Sequence, residues 1–265
     1  MGNPVQHSKS PQIHAAFARQ TGQNIQYQAI LVEEGKFPDA LAAFQDQGGM
    51  GLNITIPFKR VAWEIADNLS AAAKRAQAVN TLWFDQSGKR LGDTTDGTGL
   101  IRDLVGNQGI SLAGEEVLIL GAGGAVRGIL DPLFDQVPAR VVIVNRTISR
   151  AEELADAFSD RGNIRACRYD ELPGQQFRYV INGTAASLQG EIPPLPDNLL
   201  EKDAICYDMM YASDDTVFTR WANSHGAARA YDGLGMLVEQ AAESFYIWRG
   251  IRPQTRPVIE MLRQQ

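Results

Sequence analysis

The sequence predicts an α/β chain whose larger part is a parallel, doubly wound sheet, and three observations carry that expectation. An unbroken apolar run, Val117 to Leu120, leads into a glycine turn and then into a helix. Apolar strand runs and helical spacings go on alternating from Arg140 to Gly233. No segment repeats and none is of low complexity. A run of this kind suits a strand covered on both faces, as parallel strands are.

The central segment is EVLILGAGGAVRGILDPL, Glu116 to Leu133. Gly121 allows a tight turn, Gly123 lets the backbone approach a bound group, and the helix start offers free N–H groups with a partial positive charge. Such a unit grips a dinucleotide pyrophosphate across Gly121, Ala122, Gly123, Gly124 and Ala125. Val126 stands where the third glycine of G-x-G-x-x-G would be, flanked by Gly124 and Gly128. The motif is therefore a variant, and an ordinary strand-to-helix turn is the plainer alternative. The next strand, Arg140 to Val144, ends in Asn145-Arg146-Thr147, with Arg150 one helical turn on. A carboxylate at this place, about 20 positions past the glycines, would bind the ribose hydroxyl of NAD. Here guanidiniums stand instead, and their paired donors match a phosphate. The pattern favours NADP over NAD, against the alternative of surface arginines near a helix start.

A chain of 265 residues has ample length for one large domain or two modest ones. The formal net charge of −6 and the scattered basic residues argue against a nucleic-acid surface. No apolar stretch is long enough to cross a membrane, and the N-terminal residues carry no signal pattern. Cys167 and Cys206 lie far apart and read as buried strand thiols. His7, His14 and His225 have no ligand spacing, so no metal is expected. A soluble cytoplasmic enzyme acting on a small molecule, monomeric or homodimeric, is the expectation.

The first hundred residues read as a smaller α/β unit without a second glycine fingerprint. Gly2-Asn3-Pro4 marks a turn, and Ser10-Pro11 reads as an N-cap and first helical residue, with Ile13 and Phe17 on the apolar face. Ser8 and Ser10 are hydroxyls beside a helix start, open equally to an anion or to simple capping. Tyr27 to Val32 reads as a strand, Phe37 to Phe44 as a helix, and Gly51 to Ile56 as a second strand broken at Pro57. Lys59 follows at a sheet edge, where most lysines are solvated charge. A short helix falls around Ala62 to Ala66, and Ser70 caps another. Strands follow at Ala78 to Phe84 and Arg90 to Asp93, and a helix runs from about Thr98 to Asn107. Asp96 is placed to cap that helix or to do chemistry, and spacing does not choose.

Beyond the arginine turn come a helix over 149–158, strands over 164–169 and 179–184, and a proline-rich loop over 192–196. A strand over 204–211, a helix over 217–224 and a short strand over 229–233 complete the sheet. Leu234, Leu237, Val238, Ala241, Ala242 and Phe245 mark an amphipathic helix with Gln240 off its stripe, and a final helix spans 256–263.

Taken together, GNPVQHSKSPQIH, NITIPFK, AVNTL, GDTTDGTG, GAGGAVRG, NRT, YDMMY and DGLGMLVEQA occur in one order along nearly the whole chain. The sequence resembles the shikimate dehydrogenase family. That resemblance implies an N-terminal substrate domain over 1–98, completed by C-terminal helices over 234–265 that return to it. A Rossmann-like NADP-binding domain would span 99–233. It implies NADPH-dependent reduction of 3-dehydroshikimate to shikimate, with Lys59 as acid/base paired with Asp96. Ser8 and Ser10 would hold the substrate carboxylate, and Thr55, Asn80, Tyr211 and Gln240 its hydroxyls or ring. Gly121 to Ala125 would cradle the pyrophosphate, and Asn145, Arg146, Thr147 and Arg150 the adenosine end. Met209 and Gly233 would lie near the nicotinamide. A quinate/shikimate enzyme using NAD, or a catalytically weak NADP-binding regulatory paralogue, is the alternative. Three departures stand against the family pattern: only Met1 precedes the GNP turn, so the first strand is expected to be short or lost; Thr94 replaces asparagine in GDNTDG; and Gly183 and Ala185 alter the NATS run.

Overall fold

The computed structural model describes residues 1–184 and 186–264, and they form two compact units. Unit 1 comprises Met1–Gly99 with Val238–Gln264, and unit 2 comprises Leu100–Leu237.

Unit 1 opens with α1 (Ser10–Thr21), whose inward face carries Ile13, His14 and Phe17, and which Gly22 ends in a left-handed turn. The N-cap is Lys9, so the helix begins at Ser10, one residue ahead of the expected start at Pro11. α2 (Phe37–Asp46) buries Phe37 and Leu41. After it come β1 (Gly51–Asn53), α3 (Lys59–Ile65), β2 (Asn68–Leu69), α4 (Ala71–Ala76), β3 (Thr81–Phe84) and β4 (Arg90–Asp93). Ser70 caps α4 by accepting the Ala73 N–H at 3.0 Å. The four strands form one sheet in the order β1-β3-β4-β2, with Leu52 opposite Leu82 at the centre of its core. Lys59 opens α3 rather than sitting on a strand edge, and α5 (Asp96–Ile101) begins at Asp96, two residues ahead of the expected start.

The strand expected over Tyr27–Val32 does not form. Its neighbour is the segment Met1–Asn3, which offers one parallel bridge, Gly2 to Leu31. The other side of that segment is held by Thr55 N–H on the Met1 carbonyl and Asn3 N–H on the Ile56 carbonyl, both 3.0 Å. A strand is defined by its ladder, and one isolated bridge does not make one. The short first strand expected from the sequence is this bridge.

α5 continues as a π-helical segment over Arg102–Asn107 into unit 2. There follow β5 (Glu116–Leu120), α6 (Gly124–Phe134), β6 (Arg140–Val144), α7 (Ile148–Ala157), β7 (Ile164–Cys167), β8 (Phe177–Asn182), β9 (Leu200–Asp208), α8 (Val217–Ser224) and β10 (Arg229–Tyr231). All pairings are parallel, in the order β10-β9-β8-β5-β6-β7. Val117, Ile119, Val141, Ile143 and Ile181 pack on one face with α6 and α7, and Leu118, Leu120, Val142, Val144 and Val180 on the other with α8. Both faces are buried, which is why these strands read as continuous apolar runs. The strand order reverses between β5 and β8, and in open α/β sheets ligands bind outside the carboxyl ends of the strands at such a point. α9 (Leu234–Arg249) starts in unit 2 and ends in unit 1, and α10 (Arg256–Arg263) closes unit 1.

At the reversal the absent third glycine has a counterpart. Val126, in the first turn of α6, is fully buried, and a Cβ on Gly183 at the end of β8 would overlap its Cγ2. The close helix-to-strand approach that a glycine on the helix usually permits is here permitted by a glycine on the strand side. Gly183→Ala is therefore expected to cost about 1–3 kcal/mol through overpacking. Val126→Ala in the same chain should recover part of that loss. Urea denaturation of the two single variants and the double variant measures both, and strict additivity would show that the two sites do not share this space.

Candidate active site

In unit 1, Lys59 Nζ donates to Asp96 Oδ2 at 2.6 Å, with side chains 22% and 12% exposed. The other carboxylate oxygen, Oδ1, accepts the Asn80 side-chain N–H at 2.9 Å. Asn80 is held in turn: its Oδ1 accepts the backbone N–H of Thr95 at 2.8 Å. A backbone N–H can only donate, so the amide cannot be turned over, and its NH2 group must face Asp96. The Asn80 NH2 also lies 3.0 Å from Thr95 Oγ1 and 3.3 Å from Gln240 Oε1. Lys59 from α3, Asn80 ahead of β3, Asp96 from the start of α5 and Gln240 from α9 thus meet through one amide. Thr55 lies two residues beyond β1, and the Phe58 N–H bonds to its carbonyl at 3.0 Å.

At the start of α1 the Ser10 N–H donates to Ser8 Oγ at 3.3 Å. The Ser10 hydroxyl bonds the hydroxyl of Tyr27, whose ionisation burial strongly opposes. Tyr27 stacks on His14 with centroids 4.2 Å apart and planes at 10°, and Trp248 and Phe245 flank the same imidazole.

In unit 2, Gly121 has φ +103°, and a Cβ there would come within 3.1 Å of Thr184 Cγ2. Among the described residues, and beyond their chain neighbours and the helix's own backbone, no atom lies within 4 Å of where a Cβ would stand on Gly123 or Gly124. Gly123 is the N-cap of α6 and caps it with no side chain, so the first-turn N–H groups beside Gly121 to Ala125 are left for another acceptor. Asn145 Nδ2 donates to the Thr147 carbonyl at 2.8 Å and shapes the turn after β6. Arg146 and Arg150 are exposed there, and among the described residues neither guanidinium has a hydrogen bond or ion pair. Unpaired guanidiniums on a turn beside a bare helix start form a donor set that fits a phosphorylated dinucleotide. Among the described residues no three His, Cys, Asp or Glu side chains are placed to hold a metal ion.

Met209 and Gly233 are neighbours: a Cβ on Gly233 would overlap the Met209 carbonyl, and the Met209 Sδ would stand 3.2 Å from a Cβ on Gly183. Under them lies a buried carboxylate that the sequence reading did not single out. Asp208 accepts from Asn182 Nδ2 (3.0 Å), Ser187 Oγ (2.8 Å), Thr216 Oγ1 (2.7 Å) and the Met210 N–H (3.1 Å), while burial pushes its pKa up. β9 ends at Asp208, so Tyr211 lies in the following loop and belongs to unit 2, apart in the chain's organisation from the other substrate candidates. Burial raises its phenol above the ordinary value.

Residues 1–82 match the model of the shikimate dehydrogenase substrate binding domain, 103–189 that of shikimate / quinate 5-dehydrogenase, and 233–263 that of the shikimate 5'-dehydrogenase C-terminal domain. A protein of Alkalilimnicola ehrlichii named shikimate dehydrogenase (NADP(+)) is 56% identical over 265 residues, 100% of this chain and 97% of that one. The chain belongs to the shikimate dehydrogenase family. Among solved structures, an Ael1 enzyme from Pseudomonas putida superposes with a TM-score of 0.92 at 44% identity, covering 98% of this chain and 96% of that one. The shikimate 5-dehydrogenase of Thermus thermophilus, in complex with NADP(H) and shikimate, gives 0.87 at 31% identity, covering 99% and 97%.

Of the departures from the family pattern, Thr94 stays out of the Asn80–Asp96 network. Its N–H donates to Asp93 Oδ1 at 2.7 Å, and its buried hydroxyl has no partner among the described residues. Ala185 lies outside the described residues. The sequence reading missed Asn53, Thr81, Thr95 and Ser244, which surround Asn80; Thr81 and Thr95 each adjoin a residue it chose, and Ser244 lies one helical turn beyond Gln240.

His14 gives this region an acid sensitivity. Complete burial pushes its pKa down to about 3 from 6.5, with Asn53 acting the other way. The folded value lies below the unfolded one, so the stability it supports is complete above pH 6.5 and falls as the pH drops toward 3. Between pH 7 and pH 5 this amounts to about 2 kcal/mol. His14→Phe, which keeps the stack, should flatten that part of the stability–pH curve measured by denaturant titration; an unchanged slope would contradict the assignment.

Proposed function

We propose that this chain catalyses the reversible NADPH-dependent reduction of 3-dehydroshikimate to shikimate, with Lys59 as proton donor. The observation that carries the assignment of the acid is the 2.6 Å contact from Lys59 to Asp96, whose second oxygen is taken by Asn80. When bound, NADPH supplies the hydride. Reducing a ketone also needs a proton for the oxygen as negative charge builds there, and an ammonium within hydrogen-bond reach both steadies that charge and delivers the proton. Asp96 fixes the direction of the Lys59 side chain, and Asn80 fixes Asp96. In the reverse direction the neutral amine takes the hydroxyl proton.

Ser8 and Ser10, at the start of α1, are read as holding the substrate carboxylate, helped by the helix N-terminus. Thr55, Asn80, Tyr211 and Gln240 are read as contacts to the hydroxyls or ring. In unit 2, the turn from Gly121 to Ala125 is read as the pyrophosphate cradle. Asn145, Arg146, Thr147 and Arg150 are read as the adenosine end, and Met209 and Gly233 as the nicotinamide end. No helix among the described residues is long and apolar enough to cross a membrane. The reading carries with it a cytoplasmic protein, monomeric or homodimeric, acting on a small molecule.

Absorbance at the reduced-nicotinamide band, with shikimate or quinate and each oxidised cofactor, tests the activity directly. Lys59→Ala should lower kcat by about a thousandfold, within the range general acid–base groups contribute, and leave KM for shikimate within about threefold. Equal losses in binding and rate would make the lysine a binding group instead. Arg146→Ala should raise KM for NADPH by about tenfold, the worth of one charge-assisted contact, and leave KM for NADH unchanged. A uniform rise for both cofactors would remove Arg146 from the 2′-phosphate.

A further inference from the structure

Ser244, on α9, is completely buried in the polar interior of unit 1. Its hydroxyl lies 2.9 Å from Asn53 Nδ2, 2.7 Å from Thr81 Oγ1, 3.2 Å from Thr95 Oγ1 and 3.0 Å from the Gln240 carbonyl. Donor counting gives these contacts a direction. Asn53 Oδ1 accepts the Tyr27 hydroxyl at 2.8 Å, and its Nδ2 faces the Asn80 carbonyl at 3.2 Å. Turning that amide over would set two carbonyl oxygens against each other, so Asn53 donates to Ser244. At the far end, Thr81 Oγ1 lies 2.9 Å from Asn80 Oδ1, which can only accept, and 3.2 Å from Asn53 Nδ2, which can only donate. With the Thr81 proton on Asn80, the serine is the donor of the 2.7 Å contact to Thr81, and the Gln240 carbonyl shares that proton.

The result is a chain of hydrogen bonds with one sense. Tyr27 donates to Asn53, Asn53 to Ser244, Ser244 to Thr81, Thr81 to Asn80 Oδ1, and the Asn80 NH2 to Asp96, which also receives Lys59. Hydrogen bonds in such a series polarise one another, and a buried break leaves two groups unsatisfied. Ser244 is the one member supplied by α9; Asn53 Nδ2 also reaches Thr81 Oγ1 directly at 3.2 Å, so the serine adds a second and shorter link between them.

We propose that Ser244 is a positioning residue for this reaction: its hydroxyl completes the chain that holds the Asn80 amide on Asp96, and so keeps the carboxylate aligned with Lys59. The proposal rests on the reading of Lys59 and Asp96 as the acid/base pair. Losing the serine hydroxyl removes the 2.7 Å contact of Thr81 and one acceptor of the Asn53 NH2, which keeps the Asn80 carbonyl and Thr81 Oγ1, both at 3.2 Å. Thr81 is then polarised toward Asn80 only by the longer bond from Asn53, and the alignment of Asp96 weakens without removal of any group that touches substrate.

Steady-state kinetics of shikimate oxidation by the full chain, with NADP+, tests this. Ser244→Ala should lower kcat about tenfold and leave KM for shikimate within about twofold, the pattern of a lost alignment rather than of lost binding. Ser244→Thr, which restores a hydroxyl, should recover kcat to within about threefold of the parent. Thr81→Val keeps the shape and breaks the next link, so it should match Ser244→Ala. The double variant should lose no more than either single one, because both cut the same chain. Should Ser244→Ala fail to fold, Thr81→Val and Ser244→Thr give the same reading. Unchanged kcat in Ser244→Ala or in Thr81→Val, failure of threonine to restore it, or multiplied losses in the double variant would overturn the proposal. Lys59→Ala, run beside them, separates the two levels. An inactive Lys59→Ala with a fully active Ser244→Ala sinks only the role of Ser244, and an active Lys59→Ala sinks the acid/base reading and this proposal together.

Discussion

The hydrogen bond from the Thr95 backbone to the Asn80 side-chain oxygen governs the chemistry of unit 1. A side-chain amide has two ends of similar shape and opposite polarity, and facing the wrong one toward a carboxylate would set oxygen against oxygen. The backbone N–H removes the choice. Once Asn80 is fixed, Asp96 has one oxygen occupied and offers the other to Lys59. The lysine we propose as proton donor is therefore aimed by a contact two steps away from it. All of this lies in a unit whose remaining interior is apolar, where an unmet polar group costs about 1–3 kcal/mol and a satisfied set specifies one arrangement.

Unit 2 solves a different problem with different means. Binding a pyrophosphate at a strand-to-helix turn asks for backbone amides in the open and for close contact between helix and sheet. The open amides come from Gly123 and Gly124, where no side chain stands in the way. The close contact is managed by Gly183 beneath Val126. The departure from G-x-G-x-x-G on the helix and the departure from the NATS run at the end of β8 are thus one feature seen twice, since the volume added at one position is removed at the other. Neither position could show this alone, because they are far apart in sequence and meet only where the strand order reverses.

Legibility in the sequence followed the range of the physical signal. The strands of unit 2 were readable because two buried faces leave an apolar run with no polar interruptions, and α8 and α10 were read to the residue because caps and spacing are local. Tyr27 to Val32 has the composition of a strand, but what makes a strand is its partner, and Met1–Asn3 supplies one bridge. Lys59 and Asp96 were legible through an ordered set of motifs shared with a family, whereas spacing alone left both as surface charge or cap. Asn53 and Ser244 gave no such signal. They are 191 positions apart, and no periodicity or motif relates them.

That contrast bears on which substitutions the two units can accept. In the proposed reading, recognition in unit 2 rests largely on main-chain amides, so side chains around the turn can vary so long as volume and φ are respected, as Val126 and Gly183 do. Recognition in unit 1, on the same reading, rests on side-chain donors and acceptors joined in series, where a change of one group alters the sense of its neighbours. Thr94 fits this division: it departs from the family pattern, yet its N–H is held by Asp93 and its hydroxyl joins no link of the series. Ser70 also donates to Asp93, and the Asp93 carbonyl accepts the Asn80 N–H at 3.1 Å, so the residue before Thr94 is held from both sides. A change at that turn can be absorbed without moving Asp96, because the residue that aims Asp96 takes its orientation from Thr95 and not from Thr94.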